Sequence, residues 1–148
     1  MSLDDFALRK RHTYGTLLIN LENGKCIDMI ETRDVEEVSK WLMTFPNIEL
    51  VSRDGSTAYK KAITTSHLQA IQITDRFHLI KVLSSNYENI KKFVQRTKRD
   101  TEAVVSAILC DYSNAKIEGK INKLKKIKRE LYGRCSFELL KTRFSLNE

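Results

Sequence analysis

Proline and glycine are scarce in this 148-residue chain, at one and five residues. That excludes collagen-like and low-complexity architectures and predicts an ordered, globular chain, long enough to bury a core. No apolar run approaches the length of a membrane span, and no charged-then-apolar leader opens the sequence. Neither membrane insertion nor secretion is therefore expected. The three cysteines, Cys26, Cys110 and Cys135, are scattered and form no CxxC pair. That pattern predicts reduced thiols in a cytoplasmic setting and argues against a structural zinc. His12, His67 and His78 lack HxxxH spacing, which disfavours a zinc site as well. No repeat, linker or low-complexity tract divides the chain, so a single domain over 1–148 is expected.

What the chain has in excess is positive charge, and it is unevenly placed. Through Asp75 there are 9 Lys or Arg against 11 Asp or Glu, whereas from Arg76 onward there are 17 against 8. A basic half of this kind matches a polyanion, nucleic acid above all, although a solvated helical surface has the same composition.

The texture changes once along the chain. Residues Phe6 to Lys10, Tyr14 to Leu21 and the run "CIDMIE" read as three strands, the first of them the weakest, with an Asn23-Gly24 turn between the second and third. "TRDVEEVSKWLMTF" reads as a helix capped by Thr32 or Asp34, with Val35, Val38, Trp41, Leu42 and Phe45 on one apolar stripe and Pro46-Asn47 ending it. Then follow a strand ("IELVS"), a helix ("STAYKKAITT") and a strand ("AIQIT"), with helices nearly to the end. Tight turns want an antiparallel meander and helical crossovers want parallel strands, so a mixed five-stranded α/β sheet flanked by helices is predicted. In such sheets reactive groups gather beyond the carboxyl ends of the strands. Asp54 follows one strand, Asp75 another, and Asp4 and Asp5 lie in or beside the first.

The most basic helix, in "SNAKIEGKINKLKKIKRELYG", holds six lysines and one arginine between Lys116 and Arg129 but a single acid, Glu118. Ser113 or Asn114 is a plausible cap. Ile117, Ile121, Leu124, Ile127 and Leu131 form the buried stripe, while Glu118, Asn122, Lys125 and Arg129 share a polar face. If that face looks toward Asp54 and Asp4, three carboxylates hold two divalent metals about 4 Å apart, as phosphodiester chemistry requires. Lys125 and Arg129 then grip phosphates, and Gly119 lets a nucleic-acid backbone approach. Each feature also has a structural reading: Glu118 as an ion-pairing surface acid, and Asp54-Gly55 as a turn.

Four stretches in order, "DDFALRKRHTYGT" (Asp4–Thr16), "SRDGSTAY" (Ser52–Tyr59), "DRFHLIK" (Asp75–Lys81) and "SNAKIEGKINKLKKIKRELYGRCSFELLKTR" (Ser113–Arg143), resemble the DDE transposases of bacterial insertion sequences. The first differs from that family's "DDFALRKGHTYGT"-like pattern at Arg11. The resemblance implies an RNase H-like fold with Asp4, Asp54 and Glu118 as the catalytic, metal-binding triad, Asp5 being the alternative first acid. It implies Mg²⁺ or Mn²⁺ at a two-metal site, strand cleavage at element ends with water, and strand transfer by a 3′ hydroxyl. Asp75 and Gly119 take supporting roles, and Arg76, His78, Asn122, Lys125, Lys128 and Arg129 contact DNA. The implied partners are element-end and target DNA, and a second copy or a full-length transposase. Set against the family pattern, the chain is expected to lack an N-terminal DNA-binding region. The helical segment before the final Glu is short, with 42 residues between Asp75 and Glu118. A non-catalytic DNA-binding remnant and an RNase H-like nuclease or resolvase are the competing expectations.

Overall fold

The computed structural model describes residues 1–9, 11–75, 94–95, 98, 100–110 and 115–147. Among these the elements run β1 (Ser2–Arg9), β2 (Thr13–Ile19), β3 (Cys26–Ile30), α1 (Val35–Leu42), β4 (Leu50–Arg53), α2 (Thr57–Ser66), β5 (Ile71–Thr74), α3 (Thr101–Leu109), α4 (Ala115–Glu130) and α5 (Phe137–Leu146). The strands form one sheet in the order β3-β2-β1-β4-β5. The first three pair antiparallel, and β1–β4 and β4–β5 pair parallel. This is the mixed α/β sheet of the RNase H-like fold.

The first strand corrects its forecast. It is neither weak nor short: it pairs with β2 from Ser2↔Ile19 to Arg9↔Thr13. Its alternation is hidden because β1 lies inside the sheet with both faces covered, so both parities carry apolar residues. Leu3 and Phe6, of opposite parity, are both buried. The β2–β3 connection is also longer than a two-residue turn. The Asn20 carboxamide accepts from the Glu22 N–H at 2.7 Å, and the Gly24 N–H closes onto the Asn20 carbonyl at 2.9 Å. Gly24 takes φ +71°, where glycine is at ease.

Helix α1 is capped by Asp34, whose side chain accepts from the Glu36 and Glu37 N–H groups. It ends at Leu42, a turn earlier than Pro46 suggested, because the Thr44 and Phe45 N–H groups already bond back to Trp41 and Leu42. Val38 and Leu42 bury the stripe. Trp41 packs its edge on Phe45 and donates its indole N–H to Asp28 Oδ2 at 2.9 Å, a core role rather than a base-stacking one.

Two cores sandwich the sheet. On one face Leu3, Leu18 and Val51 meet Val38 and Leu42 of α1 and Ala62 and Ile63 of α2. On the other Phe6, Leu17 and Ile19 meet Ile117, Ile121, Leu124 and Ile127 of α4 and Leu140 and Phe144 of α5. Helix α3 packs on the edge strand β5. Lysines pin α4 at both ends: Lys116 Nζ donates to the Leu21 and Glu22 carbonyls at 2.8 and 2.5 Å, and Lys128 Nζ to the Ala7 carbonyl at 2.7 Å. The helix therefore runs alongside β1 in the same direction. Cys26, Cys110 and Cys135 form no disulfide among the described residues. No described helix is long and apolar enough to cross a membrane.

Candidate active site at the carboxyl edge of the sheet

Strand parity decides where each acid of the first motif points. Asp4 shares the face of Phe6, which α4 covers. Asp5 shares the face of Leu3, where its Oδ2 accepts from Arg33 Nη1 at 3.1 Å. Arg33 in turn lies over the Tyr14 ring, 3.8 Å from its centroid. The two carboxylates, adjacent in sequence, thus serve opposite sides of the sheet.

Asp54 meets Asp4 through strand register. Strands β1 and β4 pair in parallel at Ser2↔Ser52 and Leu3↔Arg53, and one step further along come Asp4 and Asp54. This is where the antiparallel half of the sheet joins the parallel half. Burial pushes the Asp4 carboxyl up to about 7, a rise reinforced by the negative charges of Asp54 and Asp5 and opposed by the Asp5 N–H and by Lys125. The Asp5 N–H donates to Asp4 Oδ1 at 2.8 Å, and the Ser56 N–H donates to Asp54 Oδ1 at 3.0 Å. Both carboxylates are held by main-chain donors. A pair of repelling, partly buried carboxylates is a donor set that a cation relieves.

Glu118 stands in the first turn of α4, on the helix that covers Asp4, and its side chain is exposed. Among the described residues no three Asp, Glu, His or Cys side chains are placed to hold one metal ion. Asp4 and Asp54 are brought together; Glu118 is on the correct sheet face but is not gathered with them. Asn122, Lys125 and Arg129 are exposed on the polar face, and Lys125 is near enough to act on Asp4. Lys128 is turned to the sheet, its amine spent on Ala7. Among the described residues, apart from the helix's own neighbouring backbone, nothing lies within 4 Å of where a Cβ on Gly119 would stand, so that surface is open. Asp75 is buried at the end of β5, and its N–H donates to the Arg53 carbonyl at 3.0 Å. Arg76 and His78, and the Ser113 and Asn114 caps, lie outside the described residues.

Two features went unread in the sequence. Arg53, of the "SRD" stretch, is fully buried beside Asp54, with 0% of its side chain exposed. Its Nη1 donates to the Asp54 carbonyl at 3.0 Å and its Nε to Gln72 Oε1 at 2.7 Å. Its Nη2 donates to both oxygens of Asp100, at 2.9 and 2.8 Å. Lys60 also reaches Asp100 Oδ1, at 3.0 Å. Burial alone would raise the Asp100 carboxyl, but these hydrogen bonds win and hold it below the usual range. An arginine at an inward strand position was the available clue, since a buried guanidinium demands a carboxylate. The second feature is Tyr59. Thr16 Oγ1 gives its one proton to the Thr32 carbonyl at 2.6 Å, so the Tyr59 hydroxyl, 3.0 Å away, must donate to Thr16. Burial raises the phenol, as do the nearby aspartates. A proton so held makes Tyr59 a tie between α2 and β2 and a poor nucleophile.

A family model described as a transposase, that of the ISL3 group of DDE transposases, matches residues 1–100 and 82–144. No match was found among curated proteins or among solved structures.

Proposed function

The chain belongs to the transposase family whose model it matches, and on that footing we propose that it is a DDE catalytic core that cuts and joins DNA strands. The observation that carries the reading is that Asp4 and Asp54 come one step past Leu3↔Arg53, where the parallel pairing of β1 with β4 ends, and that the Asp54 charge raises the cost of charging Asp4. The two aspartates fit a divalent cation, Mg²⁺ or Mn²⁺, and Glu118 is the residue on α4 available to complete a two-metal set. Bound there, such ions supply activation of the attacking oxygen and neutralisation of the leaving one. The chain's own residues do the rest. Near neutral pH the Asp4 carboxyl keeps part of its proton and gives it up on ligation. Arg53 fixes the turn that carries Asp54, and Asn122, Lys125 and Arg129 face outward to hold phosphates. The side chain turned toward α4 supports Asp4, rather than Asp5, as the first acid. The family match comes in two pieces that overlap on 82–100, which supports a shortened segment between the β5 end and α4.

One observation favours a second reading, a non-catalytic DNA-binding remnant: Glu118 is exposed and no three-ligand group is assembled among the described residues. Incubating the full chain with a labelled duplex and Mg²⁺ or Mn²⁺ separates the two. The catalytic reading expects metal-dependent nicking that is lost in Asp4→Asn, Asp54→Asn and Glu118→Gln, together with joining into a second DNA. Binding without cleavage in the wild type would leave the remnant. Cleavage without joining would indicate a nuclease. Cleavage undiminished in the three variants would remove the triad.

A further inference from the structure

The edge beyond the aspartates carries cations that the polar face of α4 does not account for. Strands β1 and β2 join in a hairpin closed by the His12 N–H on the Arg9 carbonyl at 2.9 Å. Between Leu8 and Thr13 the sequence is Arg9-Lys10-Arg11-His12, without an acid. Arg9, Arg11 and His12 are exposed. Arg11 has φ +68°, a conformation that suits glycine and strains a residue bearing a Cβ. Fold requirements therefore argue against arginine at this position. Among the described residues neither Arg9 nor Arg11 is paired with a carboxylate.

A second group of cations comes from the end of α4. The Lys128 bond to Ala7 brings that end beside the last residues of β1, and Leu8 packs against the same core cluster as Leu131, Cys135 and Phe137. Arg129 and Arg134 are exposed there. Between Lys125 and Arg134 five cations stand against one acid, Glu130, so this stretch also carries a surplus of positive charge.

We infer that the β1–β2 hairpin and the α4–α5 turn together form a ledge for the phosphate backbone of duplex DNA flanking the cleavage site, with Arg9 and Arg11 contacting from the hairpin and Arg134 from the turn, in continuation of Arg129 on α4. The inference rests on the transposase-core reading and adds where the flanking duplex lies. Arg9 is five residues beyond Asp4 on one strand, a reach of roughly 17 Å, or about five base pairs of duplex. The ledge reads no sequence, because arginines on phosphates position a duplex without specifying it.

The test is fluorescence anisotropy of a labelled duplex of arbitrary sequence with the full chain, in chelator to prevent cleavage, over a series of salt concentrations. Arg11→Gly and the Arg9→Gln/Arg11→Gly double variant are compared with Lys61→Ala, an exposed position on α2 across the sheet. Each lost phosphate contact should flatten the salt dependence by about 0.9 in log–log slope, and the double variant should bind at least about fivefold more weakly at low salt. Lys61→Ala should match the wild type. Because glycine suits φ +68°, Arg11→Gly should melt at or above the wild-type temperature, which separates lost binding from lost folding. A double variant with the wild-type slope would overturn the ledge while leaving the transposase-core reading intact. A wild type that binds no duplex would overturn both.

Discussion

Replacing Asp100 with alanine removes the carboxylate that neutralises a fully buried guanidinium. Arg53 would lose two charge-assisted bonds, at 2.9 and 2.8 Å, and Lys60 would lose a third contact. Breaking a buried pair from one side costs about 3–5 kcal/mol. Asp100 keeps 18% of its side chain exposed, so water replaces part of what is lost. The expected loss at neutral pH is therefore about 2–3 kcal/mol, or roughly 4–12 °C in melting temperature for a chain of this size. Asp100→Asn should cost less, because one acceptor oxygen remains. The pH dependence follows from the lowered carboxyl. A depressed acid contributes stability that is present above its unfolded value of 3.8 and lost as pH falls through its lower folded value. Urea denaturation of wild type and Asp100→Ala across acid and neutral pH should thus show a gap that is full near neutrality and closes below about pH 4. A neutral-pH gap under about 0.5 kcal/mol, the size expected of an ordinary surface substitution, would refute the clamp. So would a gap that persisted unchanged into strong acid.

Asp4→Asn should stabilise the chain in chelator at pH above 7. The wild-type carboxyl, raised to about 7, loses stability as pH climbs from the ordinary acid range through that value, and the amide does not. The full effect is roughly 4 kcal/mol, reduced to about 2 by partial exposure. The Met1 amino group, lowered to about 6 by burial, cancels in the difference between the two proteins. Urea melts of equal stability on both sides of this range would contradict the environment described for Asp4. Ser39→Ala should raise stability by about 1 kcal/mol, because the buried Ser39 hydroxyl has no partner among the described residues; a lower melting temperature would count against this. Gly119→Ala should add up to about 1 kcal/mol of helix stability, since the new methyl meets open space. If DNA approaches at Gly119, anisotropy should show weaker binding by the same variant, and unchanged binding would remove that role.

The sheet was legible because its signals are local. Alternation in "TLLINL", the asparagine and glycine after it, and the apolar stripe of "VEEVSKWL" each mark an element within a few residues. Asp54 could be found for the same reason: it ends a strand and opens a turn. β1 was underestimated because its two acids interrupt any apolar pattern. Only the pairing on both sides shows that Asp4 and Asp5 stand in an inner strand, just past the end of its parallel pairing with β4. The Arg53–Asp100 clamp left little trace, since its partners are 47 residues apart and an ion pair has no periodicity. Lysine composition misled in part as well. Lys116 and Lys128 look like surface cations by sequence, yet their amines bond backbone carbonyls of the β2–β3 connection and of β1, while Lys125 and Arg129 remain outward.

Those two lysines make α4 a beam bolted at one end to the β2–β3 connection and at the other to β1. A helix turns about 100° per residue. One residue inserted between the bolts would therefore swing either Glu118 or Arg129 off its side and tear one fastening loose. Substitutions along its outer face leave both fastenings in place, whereas a change of length does not. The stretch between Arg53's strand and Asp100 obeys the opposite rule: a clasp shuts it, and doubling a closed loop costs only about 0.6 kcal/mol. A residue inserted between β5 and Asp100 should therefore cost far less stability than one inserted in α4.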